Sequence, residues 1–174
     1  LTYGHYTIQD SSSLTLSNIA FQTNTTIQGS GNNSRTWQVY GIIAQNADVA
    51  STLNISSSVL SNNYVMLTQD RNYGNDAYNH IYGGILNNRG LLNVDGAEFN
   101  SNSINILTNQ SATIMSGDSH SELYGGIIAN YETGNATISN AQFNNNTVSV
   151  TSNASNGRSD VRVLAKGGVI NNLG

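Results

Sequence analysis

Cysteine and proline are both absent from this 174-residue chain, and charged residues make up only 9% of it. Without cysteine there is no disulfide staple and no thiolate metal site. Without proline no backbone N–H is lost, which suits a chain whose main-chain groups sit in ladders. The basic residues number six, Arg35, Arg71, Arg89, Arg158, Arg162 and Lys166, and they are scattered. No cationic stripe can follow a phosphate backbone, which argues against nucleic acid as a partner. No run approaches the ~18 apolar residues of a membrane helix, and no signal peptide is evident. The net charge is −4.

A strict repeat is what the chain has instead. Tyr82-Gly83-Gly84-Ile85 returns as Tyr124-Gly125-Gly126-Ile127 and as Lys166-Gly167-Gly168-Val169, each 42 residues after the last. Tyr40-Gly41-Ile42-Ile43 lies 42 residues before the first. A second word interleaves with it: Phe21 and Asn24, Leu60 and Asn63, Phe99 and Asn102, Phe143 and Asn146. The double-glycine word supplies its own asparagines, Asn46, Asn88, Asn130 and Asn172. So regular a period means one unit stacked along an axis. Apolar residues, 37% of the chain, recur in phase, which argues against disorder.

Both words read as a bulky apolar residue followed three positions later by Asn. Counting Tyr6–Gln9 as a degraded copy gives nine occurrences with alternating short and long steps. Each except the last is followed by period-2 alternation, such as Leu53/Ile55, Leu92/Val94, Ile104/Ile106 and Val148/Val150, the signature of half-buried strands. The expectation is a single all-β domain over residues 1–174, a parallel β-helix of about nine coils with two coils per 42-residue repeat. At ~4.8 Å per coil the rod would be about 40 Å long. Phe21, Phe99 and Phe143 would stack inside, and Asn24, Asn46, Asn63, Asn88, Asn102, Asn130, Asn146 and Asn172 would form amide ladders. Gly83, Gly84, Gly125, Gly126, Gly167 and Gly168 would permit a bend or a close backbone approach. The long steps, at about 27–36, 68–80, 107–121 and 151–160, are expected to project as loops. Trp37, Tyr73, Tyr78, Asp76, Asp118 and Asp160 are the candidate contact residues there.

A double-Gly-aliphatic word alternating with Phe-x-x-Asn, in a Cys-free, Asn/Ser-rich chain, resembles the passenger domains of polymorphic outer-membrane autotransporters, best known from chlamydiae. That family typically reads Gly-Gly-Ala-Ile, whereas here the aliphatic residue follows the second glycine directly. The resemblance implies secretion across a Gram-negative outer membrane and surface display. It further implies adhesion to a protein or glycan on a host or neighbouring cell. Its only membrane contact would be a C-terminal barrel beyond this segment. The chain starts and stops within its repeat, which reads as a fragment of a longer array.

Catalytic chemistry has weak footing in the sequence. Pectin-degrading solenoids need clustered carboxylates, often with calcium. Here Asp76, Asp118 and Asp160 share a phase, which nine coils would place ~10 Å apart, too far to share one ion. His5, His80 and His120 occupy unrelated phases, and no Gly-x-Ser-x-Gly elbow is present. Tyr40, Tyr82 and Tyr124 share a phase and suit either a sugar-stacking stripe or packing beside the glycines. No cofactor or metal is expected. The leading expectation is a non-enzymatic surface adhesin. A filament subunit self-associating end to end is the alternative, and a polysaccharide-degrading enzyme comes third.

Overall fold

The computed structural model describes residues 2–3, 5–30, 35–71, 76–110, 118–154 and 161–174. Strands from successive repeats pair in parallel to build four stacked sheets. The first contains β1 (Thr2–Tyr3), β5 (Arg35–Tyr40), β9 (Ala77–Tyr82), β13 (Ser119–Tyr124) and β17 (Val161–Lys166). The second contains β2 (Tyr6–Ile8), β6 (Ala44–Asn46), β10 (Leu86–Asn88), β14 (Ile128–Asn130) and β18 (Ile170–Asn172). The third holds β3 (Ser13–Ser17), β7 (Thr52–Ser56), β11 (Leu91–Asp95) and β15 (Asn135–Ser139). The fourth holds β4 (Asn24–Ser30), β8 (Tyr64–Arg71), β12 (Ser103–Gln110) and β16 (Thr147–Ala154). The chain is an all-β parallel solenoid, as the repeat implies.

The coil is twice as long as the sequence words suggest. Val39 pairs with Ile81 and Ile81 with Leu123, so like residue meets like residue after one whole 42-residue repeat. The two asparagine words are two corners of one coil, and nine coils reduce to at most five levels. At ~4.8 Å per level the stack is about 20 Å tall. The described residues of the long steps are also mostly strand. Residues 68–71, 77–80, 107–110 and 119–121 belong to β8, β9, β12 and β13.

Left-handed residues turn the corners. Gly83 (φ 62°) and Gly125 (φ 65°) bend the chain from the first sheet into the second, a conformation that costs an L-residue roughly 1–2 kcal/mol. A side chain at Gly83 would also strike the carbonyl of Leu86. At the third-to-fourth corner, Asn62, Ser101 and Asn145 take φ values of 59°, 56° and 54°. The first coil lacks this residue: Ala20 bridges Val59, an offset of 39, yet Asn24 pairs with Tyr64, an offset of 40. Asn24 is therefore pushed into β4 and exposed, and Thr23 takes the ladder place, its N–H donating to Asn63 Oδ1 at 2.8 Å. Asn24 is not a ladder residue.

The remaining ladder asparagines stack. Asn46 Nδ2 donates to Asn88 Oδ1 at 2.7 Å, Asn88 to Asn130 at 2.6 Å, and Asn130 to Asn172 at 2.7 Å. Asn63 donates to Asn102 and Asn102 to Asn146, at 2.9 and 3.0 Å. Between the ladders lies an aliphatic core containing Ile43, Leu53, Ile55, Ile85, Leu92 and Ile104, all buried. Phe99 and Phe143 stack at 4.8 Å with rings 2° from parallel. Phe21 also packs on this core, and Leu60 stands between it and Phe99. Because leucine already serves at that level in the second coil, Phe99→Leu should cost only about 1–1.5 kcal/mol in urea unfolding.

Candidate functional site on the outer face of the first sheet

Alternation in β9 and β13 points Ala77, Asn79, Ile81, Ser119, Ser121 and Leu123 inward. It leaves Tyr78, His80, Tyr82, His120, Glu122 and Tyr124 outward. Register then makes three outer rows. Thr36, Tyr78, His120 and Arg162 form one; Gln38, His80, Glu122 and Leu164 the next; Tyr40, Tyr82, Tyr124 and Lys166 the third. In the third row Tyr40 and Tyr82 stack at 5.0 Å and Tyr82 and Tyr124 at 5.2 Å, each pair 11° from parallel. Lys166 Nζ stands 5.4 Å from the Tyr124 ring centroid, capping the column. Each ring covers its neighbour's face, so this row offers ring edges and not open faces. The geometry favours packing along the Gly corner over flat stacking on sugars.

Glu122 is the centre of the face. Although it stands on the outer side, it is 6% exposed. It accepts from Arg162 Nε at 3.0 Å and from Tyr124 OH at 2.7 Å. Burial, then the hydrogen bond to Glu122, pushes the Tyr124 phenol up to about 12. His80 Nδ1 lies 3.4 Å from Glu122 Oε2 and 3.3 Å from Tyr82 OH. Proximity to Glu122 alone would raise the imidazole pKa, but burial outweighs it and holds His80 below its ordinary value, with His120 and Arg162 adding to the depression. His80 is thus neutral at pH 7, and the ion pair of this cluster is Glu122 with Arg162.

This gives a signed pH dependence. A histidine that binds its proton less well when folded contributes stability that is complete above its unfolded pKa of ~6.5 and lost as pH falls below it. His80→Gln, which installs the residue found at this position in the second coil, should flatten the decline of Tm as pH falls below about 6.5. An unchanged decline would show that another group causes it.

The sequence candidates fall in different places. Trp37 is in β5, partly buried against the core rather than in a loop. Tyr78 is in β9, half-buried on the outer face, its ring 5.0 Å from His120 in an edge-to-face pair. Asp76 and Asp118 precede β9 and β13 one level apart, not two, and Asp118 N–H donates to Asp76 Oδ1 at 3.0 Å. Tyr73 and Asp160 lie outside the described residues. His80 with Glu122, and Tyr78 with His120 and Arg162, were not singled out in advance. Their common 42-residue spacing is the signal that would have found them. Among the described residues no group of three His, Cys, Asp or Glu side chains is placed to hold a metal ion. Comparison of the chain with models of known protein families, with curated proteins and with solved structures finds no match.

Proposed function

We propose that this chain is a non-enzymatic extracellular rod, an adhesin-like passenger that holds variable segments out for contact. The partner is a protein or glycan on a host or neighbouring cell. The observation that carries this reading is where the unlike segments fall. β4, β8, β12 and β16 each end, and β5, β9, β13 and β17 each begin, at the edge shared by the fourth and first sheets. Residues 31–34, 72–75, 111–117 and 155–160, outside the described residues, lie between them in the sequence. Their sequences differ and their lengths run from four to seven residues, while the glycine and asparagine corners repeat. A fixed scaffold with variation confined to one edge is the pattern of a display surface on a solenoid. The acids beside that edge are engaged in structure, Asp76 with the Asp118 backbone and Glu122 with Arg162, which suits contact better than hydrolysis.

The resemblance to β-helical passengers supplies the setting: export across an outer membrane, with a barrel beyond this segment as anchor. The test replaces each variable segment by a Gly-Ser linker of equal length and measures binding of the purified rod to cells and to arrayed glycans. Binding should fall with one or more replacements while Tm holds. Unchanged binding in all four variants would remove the edge from consideration. Fibres that lengthen with concentration would favour the filament alternative, and cleavage of polygalacturonate with added calcium would establish an enzyme instead.

A further inference from the structure

Where the first and fourth sheets face each other, the interior changes from aliphatic to polar. Thr108 Oγ1 bonds Ser121 Oγ at 2.8 Å, Ser119 Oγ bonds Ser152 Oγ at 2.6 Å, and Asn79 Nδ2 donates to Thr108 Oγ1 at 2.5 Å. Among the described residues, three buried side-chain atoms in this seam have no partner: Trp37 Nε1, Gln69 Oε1 and Asn79 Oδ1. They belong to neighbouring residues. Trp37 pairs in register with Asn79 between β5 and β9, and Gln69 with Thr108 between β8 and β12. With the Asn79–Thr108 bond closing one side, Trp37, Asn79, Thr108 and Gln69 occupy the corners of a square. Two stand on each sheet and two on each level.

We propose that this square is an internal water site, in which one water accepts from the Trp37 indole N–H and donates to Gln69 Oε1 and Asn79 Oδ1. The census of groups selects the ligand. A cation would meet the indole N–H and an anion the two amide oxygens, whereas a water matches one donor and two acceptors at once. Turning the Asn79 amide over leaves two donors and one acceptor, which a water also satisfies. The spacing suits the pair one level apart: two bonds of ~2.8 Å meeting at a tetrahedral angle span roughly 4.6 Å, close to the ~4.8 Å step from Trp37 to Asn79. Buried polar atoms are rarely left unmatched, and an ordered water is the usual remedy. The site lies beside the edge where the variable segments leave the coil, and it ties both sheets together there. It does not depend on what those segments bind.

Trp37 is the chain's only tryptophan, so its indole N–H is an unambiguous reporter. In the wild-type protein, water-selective NMR should give a cross-peak from that proton to solvent, with the sign that marks a long-lived bound water. Absence of the cross-peak overturns the site. Gln69→Met, which keeps the volume but removes the acceptor, should shift the indole resonance and weaken the cross-peak several-fold. An indole resonance and cross-peak both unchanged in Gln69→Met would also overturn it. If Gln69→Met does not fold, the wild-type measurement decides alone.

Discussion

Gly84→Ala should lower the free energy of unfolding by about 3 kcal/mol, while Gly168→Ala should change it by no more than about 0.5 kcal/mol. The two glycines hold the same position in different coils, so propensity predicts the same change for both. A Cβ on Gly84 would run into the carbonyl oxygen of Gly126 and come within 2.7 and 2.8 Å of Ile104 Cδ1 and Cγ2. Gly84 N–H also donates to that carbonyl at 2.8 Å, so relieving the collision means stretching a ladder bond worth about 1 kcal/mol. Overpacking accounts for the rest, at about 1–3 kcal/mol. Around Gly168 a Cβ would meet nothing within 4 Å. The second coil carries Ile42 at this position, buried to 3% exposure, where its corner glycine, Gly41, has φ 40° rather than 62°. Its fourth sheet offers Val65 where the next coil has Ile104. Ile104→Val should therefore recover about 1 kcal/mol of the Gly84→Ala loss. Urea unfolding with matched m-values measures all three variants, and equal costs at Gly84 and Gly168 would rule out close backbone approach as the cause.

The same comparison explains why the solenoid was legible in the sequence and its coil length was not. Stacking like on like at a fixed period leaves its mark in the sequence, and the 42-residue recurrence of Gly83, Gly125 and Gly167, with period-2 apolar alternation between, carries it. Both corners that use asparagine impose one demand, a side-chain amide that bonds turn carbonyls and the next level. Asn88 reaches Gly90 O at 2.9 Å, and Asn146 reaches Phe99 O at 2.6 Å. Two corners of one coil therefore read like two coils. Strand ends were hidden for a related reason. In β8, β9 and β12 the inward positions near the fourth-to-first edge are Gln69, Asn79 and Thr108, so a fully buried strand shows no apolar alternation there. Asn24 misled through a single missing corner residue, because a shift of one reverses which face a strand residue occupies.

For the outer face, phase was legible and orientation was not. The tyrosine row could be read from Tyr40, Tyr82 and Tyr124, but that ring covers ring is a property of the folded chain alone. His80 and Glu122 differ in chemistry, so no repeated word connects them, although their positions differ by one period. Their pairing depends on the alternation of β9 and β13, whose ends the sequence left as loop.

Asn88→Ala should destabilise the protein by about 3–5 kcal/mol, the largest loss expected from a single ladder substitution. Asn88 sits inside its column, 0% exposed, with a neighbour above and below. Its Nδ2 donates to Asn130 Oδ1, to Gly90 O and, at 3.4 Å, to Asn135 O, and its Oδ1 accepts from Asn46 Nδ2. Alanine removes all four bonds at once. Asn46 keeps the carbonyls of Ser51 and Leu91 as acceptors, and Gly90 O keeps the Asn135 N–H, but Asn130 Oδ1 loses its donor in a place water does not reach. That orphan costs about 1–3 kcal/mol, and the other lost bonds and the small void add to the total. Asn88→Asp separates bonding from packing. The shape is nearly conserved, yet an ionised carboxylate offers no donor and would face Asn130 Oδ1 and Gly90 O, so it should cost at least as much as alanine at neutral pH. Part of that cost should return in acid, where the protonated carboxyl regains one O–H donor. Asn172 is exposed and accepts from only one side of the ladder, so Asn172→Ala should cost less than about 1 kcal/mol. If Asn88→Asp is tolerated like a simple isostere, the amides only fill space, and the stack is held by its aliphatic core and main-chain ladders alone.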